Sequence, residues 1–228
     1  MLKNQTHTKL IVLVDPDKYN PELINIANKS KVAYIFVGGS VIHKNSFEST
    51  IKAIKKITKI PIVIFPGDET QVSKYADGIL MLSLLSGRNA EYLIGKHVKA
   101  ASKIKASNLK VIPTGYILID GANISTTQKI TKTEPLTNKK EIIETAIAGE
   151  LLGKKMIYLE AGSGAKKTIH KSIIMNVKKN ITIPLIVGGG LDSILKVKNI
   201  LTSNPDYLVI GNALEKRPAL LTEISKLF

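Results

Sequence analysis

A single (β/α)8 TIM barrel with a truncated or missing third helix is the fold this sequence predicts, on three observations. Eight short runs rich in β-branched residues alternate with amphipathic stretches. The 228 residues match one barrel-sized domain, 1–228, and leave little for a second core. Glycines and acids gather just after the runs, where a barrel of this kind carries its active face. Alternation of strand and helix means a parallel sheet, and strands buried on both faces read as nearly continuous apolar runs.

The predicted strands are Leu10–Val14, Tyr34–Val37, Pro61–Phe65, Gly78–Leu82, Val111–Asp120, Met156–Glu160, Pro184–Val187 and Tyr207–Ile210. Helical patterns lie between them: Pro21–Lys29, Phe47–Thr58, Ala90–Lys105, Lys139–Leu152, Thr168–Lys179, Leu191–Thr202 and Pro218–Leu227. Phe47, Ile51, Ile54 and Ile57 show the spacing that places apolar side chains on one helix face. Pro66 to Asp77 is too short for two loops and a helix, so the third helix is expected to be degenerate. Gly121 to Thr137, rich in Thr, Ser and Asn, reads as a long loop on the active face.

Composition narrows the function. There is no cysteine, hence no disulfide and no thiolate metal site. No apolar run reaches the roughly 18 residues of a membrane span, and the polar lead-in Met1–Lys9 predicts no secretory signal, so a cytoplasmic protein is expected. The net charge is +15, yet among 33 basic residues only Arg88 and Arg217 are arginine. Base readout favours arginine, and lysines such as Lys52, Lys55, Lys56, Lys99 and Lys103 fall on outward helix faces. No nucleic-acid partner is expected; solvated faces, with some attraction for a diphosphate or peripheral contact with anionic lipid, account for the charge. A homo-oligomer is expected because barrels often cover helix faces that way.

The chemistry-bearing residues stand at strand ends. Asp15-Pro16-Asp17-Lys18 follows the first strand and Gly38-Gly39-Ser40 the second; Glu160-Ala161-Gly162-Ser163-Gly164 ends the sixth, Gly188-Gly189-Gly190 the seventh and Gly211-Asn212 the eighth. Glycines let backbone N–H groups close on an anion, and the last two loops are the recurrent phosphate site of such barrels. Asp15 and Asp17 offer hard oxygen ligands of the kind magnesium takes alongside substrate phosphate, or else caps for the following turn. Glu160 ends the otherwise apolar run Met156–Leu159, where an ionised group is costly unless used. It reads as general base or hydroxyl orienter, against the alternative of an ion pair with a lysine. Alternation points Tyr158 into the barrel beside it. The four histidines read as non-catalytic.

Together, Val14–Lys18, Val37–Ser40, Pro113-Thr114-Gly115-Tyr116, Tyr158-Leu159-Glu160-Ala161-Gly162-Ser163-Gly164, Val187–Gly190 and Gly211-Asn212 resemble the geranylgeranylglyceryl phosphate synthase family, which includes heptaprenylglyceryl phosphate synthases. The match runs in order along nearly the whole chain, and Tyr158–Gly164 is its most specific piece. The resemblance implies a prenyltransferase that joins the 3-hydroxyl of sn-glycerol 1-phosphate to a polyprenyl diphosphate, geranylgeranyl by expectation, with Mg2+. It implies metal contacts at Asp15 and Ser40, and glycerol-phosphate contacts at Tyr158, Leu159, Glu160, Ala161, Gly162, Ser163, Gly164, Gly189, Gly190, Gly211 and Asn212. Glu160 meets the glycerol hydroxyls in that scheme. Leu13 stands where some bacterial members carry a lysine, which sets the chain nearer the archaeal and related bacterial branch. An apolar tail groove is expected along Tyr92–Val98, Tyr116 and Ile117. The competing function is an isomerase or lyase of another small phosphorylated substrate.

Overall fold

The computed structural model describes residues 1–39, 41–42 and 47–228. Eight parallel strands close into a barrel in chain order: β1 (Lys9–Val14), β2 (Val32–Val37), β3 (Ile62–Ile64), β4 (Gly78–Leu84), β5 (Lys110–Leu118), β6 (Met156–Glu160), β7 (Leu185–Gly188) and β8 (Tyr207–Ile210), with β8 pairing back onto β1. Between them run α1 (Pro21–Asn28), α2 (Phe47–Ile57), α3 (Lys96–Ala106), α4 (Thr126–Thr131), α5 (Lys139–Leu151), α6 (Lys171–Asn180) and α7 (Ile194–Leu201). The chain finishes with the short α8 (Asn212–Lys216) and α9 (Leu220–Ile224).

Strand alternation makes two cores. Ile11, Phe36, Val63, Leu80, Tyr116, Tyr158, Ile186 and Val209 fill the barrel interior. Their neighbours along the same strands, among them Val12, Val37, Ile64, Ile117, Leu159 and Val187, pack outward against the helices. In α2 the helical spacing acts as expected, with Ile51 and Ile54 fully buried. Phe65, Tyr116 and Tyr158 pack edge-to-face or tilted across the upper interior at centroid separations of 5.4 to 6.2 Å. They floor the mouth with aromatic rings.

No helix lies between β3 and β4, as the short Pro66–Asp77 stretch requires. Two expectations fail, and two helix starts shift. The Gly121–Thr137 stretch is not all loop: Ser125 accepts the Gln128 N–H at 3.1 Å and starts α4. Ser125-Thr-Thr-Gln128 is a capping-box spacing, a signal that the Thr-rich composition hid. The segment expected as one helix over Ala90–Lys105 opens with a π-helical turn, Glu91–Gly95, before α3 begins. The helix expected from Thr168 begins at Lys171, where His170 caps it, and that expected from Leu191 begins at Ile194, capped by Ser193.

Candidate active site

β6 delivers Tyr158 and Glu160 to the mouth, since residues two apart on a strand share a face. Glu160 is 8% exposed. Its Oε1 accepts the Gly162 N–H at 2.8 Å. Burial pushes its carboxyl up to about 7, against a smaller downward pull from the Tyr158 hydroxyl and the Gly162 N–H. That hydroxyl is buried close to the carboxylate without the geometry of a full hydrogen bond to any described residue. Among the described residues no lysine pairs with Glu160. A carboxyl poised near neutrality beside an unsatisfied hydroxyl suits proton transfer.

The first two of the three glycines at the end of β7 are set by this carboxylate. A Cβ at Gly188 would lie 2.4 Å from the Tyr158 hydroxyl and 2.7 Å from Glu160 Oε2; one at Gly189 would lie 2.5 Å from Glu160 Oε1. Gly189 (φ +89°) and Gly190 (φ +70°) also hold left-handed backbone. Gly162 does the same at φ +98°, and a Cβ there would meet the Ser125 Cβ at 2.6 Å. The loop after β6 meets the loop after β8 through Asn212 Nδ2, which donates to Ser163 Oγ at 2.9 Å. The glycine loops of β6, β7 and β8 thus form one cradle, as their order around the barrel demands.

Within Tyr158–Gly164 not every side chain faces that cradle. Leu159 and Ala161 turn outward into the helix-facing core and offer only backbone. Tyr158, Glu160 and Ser163 face the mouth or its rim, and Gly162 and Gly164 shape the loop between them.

Asp15 adjoins the cradle from the other side, because β1 pairs with β8 and a Cβ at Gly211 would touch Leu13 at 3.4 Å. Its Oδ1 accepts the Asp17 N–H at 3.0 Å, capping the turn Pro16–Lys18, and its Oδ2 pairs with Lys18 Nζ at 3.0 Å. Capping and site placement are therefore both true of Asp15. Gly39 packs beside its carboxyl, with 3.7 Å from an added Cβ to Asp15 Cγ. Ser40, the other expected metal contact, lies outside the described residues. Glu215 of α8 went unnoticed in the sequence. It accepts the Asp15 N–H at 3.4 Å, pairs with Lys18 at 3.3 Å, and burial raises its pKa. An acid one turn after Gly211-Asn212 was the available signal.

Beside the aromatic floor an apolar groove of about 890 Å3, counting the part open to solvent, runs outward where a third helix would sit. Phe65, Val72, Ile79, Leu80, Ala100, Ile104 and Tyr116 line it, with Thr127, Ile130 and Thr131 of α4 along one edge. Of the expected groove residues, Tyr92, Lys96, His97 and Tyr116 are there. Ile94 and Val98 instead face solvent and Ile117 faces the helix layer. Among the described residues no three His, Asp or Glu side chains form a metal-binding cluster, and no helix is long and apolar enough to cross a membrane.

Residues 3–227 match the PcrB family. The chain is 47% identical to the geranylgeranylglyceryl phosphate synthase of Flavobacterium johnsoniae, over 90% of this chain and 87% of that one. It is 36% identical to the synthase of the same name from Pyrococcus furiosus, over 90% and 83%. Its fold superposes with a TM-score of 0.90, at 30% identity over 97% and 93% of the two chains, on (S)-3-O-geranylgeranylglyceryl phosphate synthase from Thermoplasma acidophilum in complex with sn-glycerol-1-phosphate. Thiamine phosphate pyrophosphorylase from Pyrococcus furiosus, 16% identical with a TM-score of 0.62, shares the barrel alone. A match that runs almost end to end, with relatives well above 30% identity along most of both lengths, makes this chain a member of the PcrB family.

Proposed function

We propose that this chain is a prenyltransferase that forms an ether between the 3-hydroxyl of sn-glycerol 1-phosphate and a polyprenyl diphosphate of geranylgeranyl size. One observation carries the reading: a glycine cradle for an anion closes on the buried carboxyl of Glu160, and an apolar groove ends at Phe65 and Tyr116, whose rings pack against Tyr158 beside that carboxyl. The relatives' names and the sn-glycerol-1-phosphate in the Thermoplasma structure support it. An isomerase or lyase needs a second acid or base facing Glu160 and has no use for the groove.

In this reading the loops at Gly162–Gly164, Gly189–Gly190 and Gly211–Asn212 hold the glycerol phosphate, with Ser163 and Asn212 joined as one wall. The bond from prenyl C1 to the diphosphate oxygen breaks, and its electron pair leaves with diphosphate. The glycerol 3-hydroxyl oxygen attacks C1, and its proton passes to Glu160. The tail lies in the groove, and the Phe65–Tyr116–Tyr158 rings face the developing allylic cation.

Asp15 fits a magnesium ion that arrives with diphosphate, since magnesium takes few protein carboxylates and keeps phosphate oxygens and water. Bound there, it would neutralise the leaving group. Lys18, already held between Asp15 and Glu215, adds a cation at the same edge. Peripheral contact with anionic lipid and self-association also belong to this proposal, the first on the +15 charge.

The test is incubation with Mg2+, labelled sn-glycerol 1-phosphate and prenyl diphosphates of several lengths, with extraction of label into organic solvent. Label in the ether product with a long tail is expected. No product at any length would sink the function. Loss of product with EDTA and its return with Mg2+, together with weakened Mg2+ dependence in Asp15→Asn, is the expected metal result.

A further inference from the structure

A half-buried lysine away from the mouth has no part in this chemistry. Lys154, in the link between α5 and β6, runs its stem past Gly149 and donates from Nζ to Ser83 Oγ at 2.5 Å. Burial pulls the pKa of its ammonium down, and among the described residues no carboxylate pairs with it to offset that cost. Ser83, 1% exposed on β4, passes the hydrogen bond on, donating to the Leu93 carbonyl at 3.1 Å. Leu93 lies inside the π turn. The same carbonyl and that of Leu82, 2.8 Å from Nε2, draw the ring of His97.

A π turn holds one more residue than an α turn, is rare, and recurs at functional sites. Here a fixing contact comes from the barrel, through Ser83, and the turn then presents Tyr92, Lys96 and His97 to the groove. The opposite wall, Phe65 to Val72, belongs to the segment that replaces the third helix. The width of the groove therefore depends on where the π turn sits.

We propose that Lys154 and Ser83 are positioning residues for the prenyl tail: the chain from Lys154 Nζ to Ser83 Oγ to the Leu93 carbonyl fixes the π turn and with it one wall of the groove. The inference rests on the prenyltransferase reading. Neither residue touches the glycerol-phosphate cradle, so their loss should fall on one substrate only.

The experiment is steady-state kinetics on wild type, Ser83→Ala, Lys154→Met and the double variant, with each substrate varied in turn. The expected result is a rise of about tenfold in KM for geranylgeranyl diphosphate, the size of one buried hydrogen bond. KM for sn-glycerol 1-phosphate should stay within about twofold. Because the two residues form one chain, the double variant should lose no more than the worse single one. Equal rises in both KM values, an unchanged KM for the diphosphate, or additive losses in the double variant would each overturn the proposal while leaving the function standing. Should Lys154→Met fail to fold, Ser83→Ala, which removes one oxygen, decides alone. A wild type that turns over no prenyl diphosphate would overturn the function and this proposal together.

Discussion

The β6–β8 side of the mouth and the β3–β4 side are built on opposite plans. On the first, backbone does the work: left-handed glycines at 162, 164, 189 and 190 bring loops within reach of one another and of Glu160. On the second, side chains line a space left by an absent helix, and ion pairs such as Lys96–Glu69 and the Lys103 donation to the Thr70 carbonyl tie its outer edges. A cradle of backbone has little tolerance for change and a groove of side chains has much. The difference matches the ligands: a phosphate of fixed size, and a tail held by area.

The sharpest way to break this contrast is at the buried carboxyl of the β6–β8 side, Glu160. Glu160→Gln keeps the shape and removes the base, so kcat should fall by roughly 10²–10⁴, the usual worth of general base catalysis, while the circular dichroism spectrum stays native. In wild type, kcat/KM should rise with pH up to about 7, where Glu160 ionises, and then level. The variant should lose that limb. Stability runs the other way. A carboxyl whose folded pKa is raised is neutral in the fold while already ionised in the unfolded chain between its usual value near 4.5 and about 7. Wild type therefore loses stability as pH rises through that window, and Glu160→Gln should not. A thermal melting temperature independent of pH from 5 to 8 in both proteins would remove the buried ionisation from the account.

Next in size is the cradle itself. Gly189→Ala places a methyl 2.5 Å from Glu160 Oε1 and 2.8 Å from the Ala161 N at a φ of +89°. The strain should cost about 1–3 kcal/mol of stability. It should also raise KM for sn-glycerol 1-phosphate by about tenfold or more, with a smaller change for the diphosphate. An equal change for both substrates would mean that the two sides of the mouth are not independent.

How much of this was legible follows from the same contrast. Glycine spacing, Glu160 at the end of an apolar run and the shortness of Pro66–Asp77 are local facts, and each told in advance what the fold would do there. The groove could be expected but its walls could not be assigned. Ile94 and Val98 read as groove residues because they are apolar, yet a π turn shifts the helical register and leaves them in solvent, at 58% and 67% exposure. Periodicity presumes 3.6 residues per turn, so it fails where the turn is wider. Glu215 and Lys154 were silent for another reason. Each acts through a partner about 200 or about 70 residues away, Asp15 in one case and Ser83 in the other, and no spacing along the chain encodes that.

The mildest test belongs to the groove's outer edge. Lys96 pairs with Glu69 across the space between α3 and the segment that stands in for the third helix, and both side chains remain about a quarter exposed. Water screens such a pair, so Glu69→Gln should leave folding stability nearly unchanged, within about 1 kcal/mol. Its effect should appear in KM for the long diphosphate, about two- to threefold, and shrink when wild type and variant are compared at high salt. KM for sn-glycerol 1-phosphate should not move. If that value rose instead, the edge of the groove would be acting on the cradle, and the separation of a rigid backbone half from an adaptable side-chain half would not describe this barrel.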